Sequence, residues 1–145
     1  MRPPGIATHP ALRRLGLGRQ LVAHVHDAHR PDLFGTLFGA RASVVRFRQE
    51  LGYVLVRLGA SRGSRTGEPA AVMVRPVSEA AHHLVAALRP ILARDLPAQL
   101  DLLDADLPLA PSLRQALSGD LPPPALLSDA ERDEAVHAYL HGPRP

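Results

Sequence analysis

Apolar residues recur with a helical period along residues 12–28. Leu17, Leu21, Val25 and Ala28 fall at i, i+4, i+8 and i+11, which predicts an amphipathic helix with these side chains on one face. A short apolar stub at residues 5–8 precedes it and is ended by His9-Pro10, because a proline drives the residue before it out of the α region. Residues 33–39 (LFGTLFG) form an apolar run with two glycines, read as a buried strand. Residues 43–51 carry Val44, Phe47 and Leu51 on the buried side of a second helix, with Gly52 as its C′ stop. Residues 53–58 (YVLVRL) read as a strand, 59–69 as a polar, Gly-rich loop, and 70–74 (AAVMV) as the next strand, ended by Arg75-Pro76. This alternation gives an α/β succession. Beyond Pro76 the pattern is all-helical. Ser78 is set to cap a helix running to about residue 94, with Pro90 expected to kink or break it. Short helices follow at 98–104 and 112–117. A Pro-rich linker spans 121–127, and Ser128 with Glu131 forms a capping box for a last helix ending near Gly142.

Composition narrows the picture. Aromatic residues make up only 3% of the 145, so a core must be assembled from Leu, Val and Ala. The chain has no Lys, and its 17 basic residues are all Arg, concentrated before residue 76, whereas acidic charge gathers after residue 94. The basic half suits the phosphates of a cofactor or an RNA, or simply makes an Arg-rich solvated surface. The absence of Cys excludes disulfides and thiolate metal sites. No apolar run approaches the roughly 18 residues of a membrane span, and residues 1–10 lack the apolar core of a signal peptide. A cytoplasmic location without membrane contact is the expectation.

The segment with chemistry in it is Arg13-Arg14-Leu15-Gly16-Leu17-Gly18, lying between the apolar stub and the first helix. A helix's first turn offers free N–H groups and a partial positive charge, together a site for a pyrophosphate. Glycines at 16 and 18 remove the Cβ atoms that would obstruct those amides, and Arg13, Arg14 and Arg19 add positive charge at the edge. A Rossmann fingerprint would need a third glycine at position 21, where Leu stands, and a Walker loop would need a Lys.

What remains, R-x-x-G-x-G between a strand and a helix, resembles the acetyl-CoA motif of the GNAT acetyltransferases. The extended string GIATHPALRRLGLGRQLV, followed by LFGTLFGA, FRQELGYVLVRLG and SRTGEPAAVMVRPVS, resembles the tRNA(Met) cytidine acetyltransferase family in order and spacing over residues 5–78. The resemblance implies the C-terminal half of a GNAT acyltransferase fold, a mixed sheet with flanking helices, followed by a small helical tail. It divides the chain into a partial acetyltransferase domain at 1–77 and a tail at 78–145 placed where the family binds tRNA. It further implies acetyl-CoA as substrate and tRNA as partner, while the family's ATP-using module and first strands lie outside this chain. Such a half-fold is expected to be completed by a separate chain or to pair as a homodimer, since an apolar sheet edge otherwise favours association. A truncated or split gene is the favoured origin, with an inactive tRNA- or protein-binding remnant, or a small N-acetyltransferase for a protein or metabolite amine, as alternatives.

On this resemblance the backbone of Ile6, Ala7 and Thr8 polarises the thioester carbonyl. Arg13, Arg14, Leu15, Gly16, Leu17, Gly18 and Arg19 hold the pyrophosphate. Where relatives protonate the leaving thiolate from a position four residues before the glycine of a G-F pair, this chain has Arg48, which cannot release a proton at neutral pH. No catalytic acid or base is assigned. The family's S-F-G is here Leu37-Phe38-Gly39, and its S-S-G-E is Arg65-Thr66-Gly67-Glu68. His9 is read as a structural turn residue. His24, His26 and His29 are read as solvated, since spacings of two and three scatter them over a helix. Glu134, His137 and His141 share a face that can hold zinc, but on an exposed terminal helix they too are read as surface, and no metal is expected. Arg57, Arg62 and Arg65 flank the glycine-rich loop, either facing RNA or belonging to a flexible hairpin.

Overall fold

The computed structural model describes residues 15–64 and 66–141, together with His9 and Ala11. Its elements are α1 (Leu17–Ala28), β1 (Leu33–Gly39), α2 (Ala42–Glu50), β2 (Val54–Arg62), β3 (Pro69–Pro76), α3 (Glu79–Asp106), α4 (Pro111–Ser118) and α5 (Asp129–His141). The described residues thus form a mixed α and β structure built around a three-stranded sheet in the order β1-β3-β2. Both pairings are antiparallel. A mixed sheet needs a parallel partner, and the predicted stub at 5–8 lies outside the described residues.

One face of the sheet carries the core. Leu55, Leu58, Ala71 and Met73 are buried there. They pack in one cluster with Val45 of α2, with Leu92, Leu96, Leu100 and Leu103 of α3, and with Leu113, Ala116 and Leu117 of α4. On the opposite face Leu37, paired with Val72, is 71% exposed.

β1 is not the buried strand expected, since it lies at the sheet edge with every residue partly or fully exposed, and α2 buries Val45 rather than Val44 and Phe47. Two further expectations change. Helix α3 is continuous across both Pro90 and Pro97 and absorbs the short helix expected at 98–104. Each interior proline costs about 3 kcal/mol. The stripe Leu92, Leu96, Leu100 and Leu103 is buried along it, at about 1.5–3 kcal/mol per side chain, so burial outweighs the broken backbone bonds. Strand β2 runs to Arg62 rather than stopping at Leu58, with register shifts between Leu55 and Arg57 and between Leu58 and Arg62. The predicted loop therefore shrinks to a short turn, in which Gly63 N–H bonds to the Glu68 carbonyl at 2.9 Å.

Local capping follows the sequence. Gly52 sits at φ +81° after α2. Its N–H bonds to the Gln49 carbonyl and that of Tyr53 to the Arg48 carbonyl, the paired bonds of a Schellman stop. Ser78 Oγ accepts from the Ala81 amide at the start of α3. At α5 the Glu131 carboxylate accepts from both the amide and hydroxyl of Ser128, whose Oγ accepts the Glu131 amide in return. Those bonds hold the Glu131 carboxyl below its ordinary range.

Candidate cofactor-binding turn

Gly16 occupies the N-cap of α1 in the left-handed region, at φ +80° and ψ −3°. A side chain there would be strained, although nothing lies within 4 Å of where its Cβ would stand. The first intrahelical bond runs from Gln20 N–H to the Gly16 carbonyl at 3.0 Å. The amides of Leu17, Gly18 and Arg19 therefore precede the hydrogen-bonded ladder. Among the described residues no side chain caps them, and no acidic residue lies in the first turn. The turn is left as an uncapped, positively polarised end, suited to an anion.

Of the predicted site residues, Leu15, Gly16, Leu17, Gly18 and Arg19 stand together at this turn. Ile6, Ala7, Thr8, Arg13 and Arg14 lie outside the described residues. Arg19 is turned toward α2, where its guanidinium meets Glu50 at 2.6 Å. Both side chains are more than half exposed, so the pair contributes at most about 1 kcal/mol and leaves Arg19 able to exchange partners. Gly18 faces α2, with Phe47 Cζ 3.5 Å from the position of a Cβ. The apolar face expected of α1 is not its buried face. Val22 is buried, whereas Leu17, Leu21 and Val25 are 43%, 49% and 41% exposed. The helical period holds, and the described residues place no element over that face. A surface cavity of about 450 Å³ between α2 and α4, lined by Arg46, Gln49, Gln115 and Asp120 among others, involves none of the turn residues.

His26 is not the solvated residue its spacing suggested. Its Nε2 lies 3.0 Å from the Tyr53 hydroxyl, and its Nδ1 meets the Arg75 guanidinium. Its ring lies 4.4 Å from that of Phe34. Burial first, and the Arg75 charge second, push the imidazole below its ordinary value of about 6.5. Burial likewise raises the Tyr53 hydroxyl, against the opposing charges of Arg48 and Arg75. A native state that holds His26 neutral binds fewer protons than the unfolded chain. The stability linked to it is therefore complete above pH 6.5 and drains away as pH falls from 6.5 toward the lower native value. Thermal melts from pH 8 to pH 5 should show the midpoint falling below pH 6.5, and His26→Gln should flatten that part of the profile. Only local signals were available in the sequence, and these three contacts come from other elements.

Arg62 is also reassigned. It donates to the carbonyl of Gly67 at 2.9 Å and to those of Leu103 and Leu107, tying the β2–β3 turn to the C-terminal end of α3. A cation on a helix's last carbonyls is favourable. Arg62→Met should lower stability by about 1–3 kcal/mol in urea titration, with Arg57→Met as the exposed control. Arg57 is exposed and Arg65 lies outside the described residues. His9 accepts the Ala11 amide on Nδ1 at 3.3 Å, a local turn bond. Among the described residues no group of three His, Cys, Asp or Glu is placed to hold a metal ion, and no helix is long and apolar enough to cross a membrane.

No protein-family profile matches the chain. Individual proteins do. The chain is 40% identical over 91 residues, 62% of its length, to the tRNA(Met) cytidine acetyltransferase TmcA of Citrobacter koseri. It is 35% identical over 121 residues, 81% of its length, to that of Haloarcula marismortui. With that of Salmonella typhimurium it shares 34% over 116 residues, 79% of its length. The chain holds a region related to the tRNA(Met) cytidine acetyltransferases. It spans only 14–17% of the length of these three relatives.

Two of the motifs read from the sequence, Leu37-Phe38-Gly39 and Thr66-Gly67-Glu68, meet in space. Gly39 closes β1 opposite Ala70, and the Ala40 amide bonds to the Pro69 carbonyl at 2.8 Å. The Glu68 side chain occupies the place where a Cβ on Gly39 would stand, and its carboxylate pairs with Arg41. Gly67 makes the turn into β3 at φ +67°. The glycine of Leu37-Phe38-Gly39 and the acid of Thr66-Gly67-Glu68 are therefore two halves of one packing arrangement.

Proposed function

We propose that this chain is the acetyl-CoA-binding part of a tRNA cytidine acetyltransferase. In this reading residues 1–77 form a partial GNAT domain, and residues 78–145 form a tail that meets tRNA. The uncapped amides of Leu17, Gly18 and Arg19 receive the pyrophosphate, the backbone of Ile6, Ala7 and Thr8 faces the thioester, and Arg13 and Arg14 add charge. The acceptor is the exocyclic amine of the wobble cytidine of elongator tRNA(Met). Its nitrogen attacks the thioester carbonyl, the C–S bond breaks, the amine loses a proton and the departing thiolate gains one. Catalysis of this kind rests on positioning and carbonyl polarisation.

The observation that carries this reading is the left-handed Gly16 cap, which opens α1 with no acidic residue in its first turn and, among the described residues, no side-chain cap. Calorimetric titration of the folded chain with acetyl-CoA tests it. Saturable binding near one molecule per chain is expected, and absence of binding by a folded chain would overturn the proposal. One observation favours an inactive, acetyl-CoA-binding remnant as a second reading. Arg48, at the position from which the thiolate would be protonated, lies 5.9 Å and 5.4 Å from the ring centroids of Phe47 and Tyr53. As an arginine it holds its proton. Acetyl-CoA binding without acetyl transfer to tRNA(Met), even after the early strands are supplied, would select that reading.

A further inference from the structure

Where α1, α2 and β3 meet, two guanidinium groups converge without a carboxylate. Six described arginines, Arg19, Arg41, Arg89, Arg94, Arg114 and Arg132, each lie within 4 Å of a carboxylate oxygen. Six others do not, and of these Arg48 and Arg75 are the two that both act on His26 and Tyr53. The Arg48 guanidinium lies over the Tyr53 ring, and its Nε is buried with no hydrogen-bond partner. Arg75 runs over Gly52, its Nε 3.5 Å from where a Cβ would be, and ends on the imidazole of His26. Asp27 is near enough to act on His26 electrostatically but forms no ion pair with either arginine.

The hydrogen bonds here have a direction. Arginine only donates, so His26 Nδ1 accepts from Arg75, and the ring proton sits on Nε2. Nε2–H then donates to the Tyr53 oxygen. Tyr53 keeps its own hydroxyl proton to give elsewhere, and no acceptor for it is found among the described residues. The chain Arg75, His26, Tyr53 ends on an unused donor, beside the second unpaired cation. Two like charges on partly buried side chains beside one imidazole repel, and an anion between them reverses the sign of that interaction.

We infer that Arg48, Arg75 and the Tyr53 hydroxyl form a binding site for a phosphate group. It is distinct from the turn at Gly16–Gly18 and lies about 12 Å further along the α1 axis, measured from Gly18 to His26 at 1.5 Å per residue. Phosphate fits because its several oxygens accept from both guanidiniums and the hydroxyl at once, with geometry suited to arginine. The site does not depend on acetyl-CoA binding at the turn, so either proposal can fail alone.

The test is titration of the full chain with inorganic phosphate, observed through the Nε–Hε NMR signals of arginine. Saturating shifts of the Arg48 and Arg75 signals are expected, absent with chloride at equal ionic strength. Arg48→Gln and Arg75→Gln should each weaken phosphate binding about tenfold or more, whereas Arg57→Gln should not. Linear, unsaturated shifts, or equal shifts with chloride, overturn the site. This readout uses the unmodified chain and stands even where a variant fails to fold. A short RNA and a CoA/dephospho-CoA pair then distinguish the source. Competition by RNA alone identifies a backbone phosphate, and competition by CoA but not dephospho-CoA identifies the ribose phosphate. If neither competes, a free phosphate ion is the ligand.

Discussion

Gly18→Asp is expected to remove acetyl-CoA binding by a hundredfold or more while leaving the fold as stable as before. The second half of that expectation follows from the structure around Gly18. A Cβ there meets only Phe47, at an ordinary 3.5 Å contact distance, and the first turn of α1 holds no acidic residue. A carboxylate in a helix's first turn is favourable by about 0.3–1 kcal/mol, and Asp is a somewhat better helix former than Gly. The same carboxylate places a negative charge within the first turn, beside the free amides that would hold the diphosphate. Two like charges about 4 Å apart near a protein surface repel by about 4 kcal/mol, and each 1.4 kcal/mol is tenfold in affinity. Calorimetry with acetyl-CoA, alongside thermal melts, separates the two effects. Undiminished binding by the variant would remove the turn from the proposed site. Gly16 is the poorer position for this test, since any side chain at φ +80° adds backbone strain to whatever it does to the ligand.

Leu96→Ala carries the largest expected stability effect. Leu96 is 2% exposed in the middle of α3, between Pro90 and Pro97, and belongs to the cluster joining that helix to the sheet. Truncating a leucine so placed costs about 2–5 kcal/mol. A domain of this size is stable by about 5–15 kcal/mol, so urea titration should show a large part of the total lost. Leu102→Ala, on the same helix but 61% exposed, should change stability by less than about 0.5 kcal/mol. Equal losses at both positions would mean that burial does not hold α3 together across its prolines.

The elements that could be read from the sequence are those whose signals are local. Gly52 stops α2, Ser128 and Glu131 open α5, and the apolar run at 33–39 is β1, each set by neighbours a few residues away. The glycine spacing at 16 and 18 was legible for the same reason. What local signals obscured was decided by distant partners. Pro90 and Pro97 argue for breaks, and only the leucine stripe packed on β2 and β3 overrides them. Arg62 looks like a loop residue until the end of α3 arrives beneath it. His26 looks solvated until Tyr53 and Arg75 come to it from 27 and 49 residues along the chain. Leu17, Leu21 and Val25 show the converse, a helical period read correctly on a face that no described residue buries.

The contact between Gly39 and Glu68 has a consequence for how such a region can change over generations. A side chain at position 39 needs the far end of the flexible Glu68 side chain to swing aside, which takes its carboxylate away from Arg41. The three positions are therefore coupled in sequence space. A change at 39 is felt first by the ion pair between 41 and 68, so substitutions at the three positions are expected to travel together.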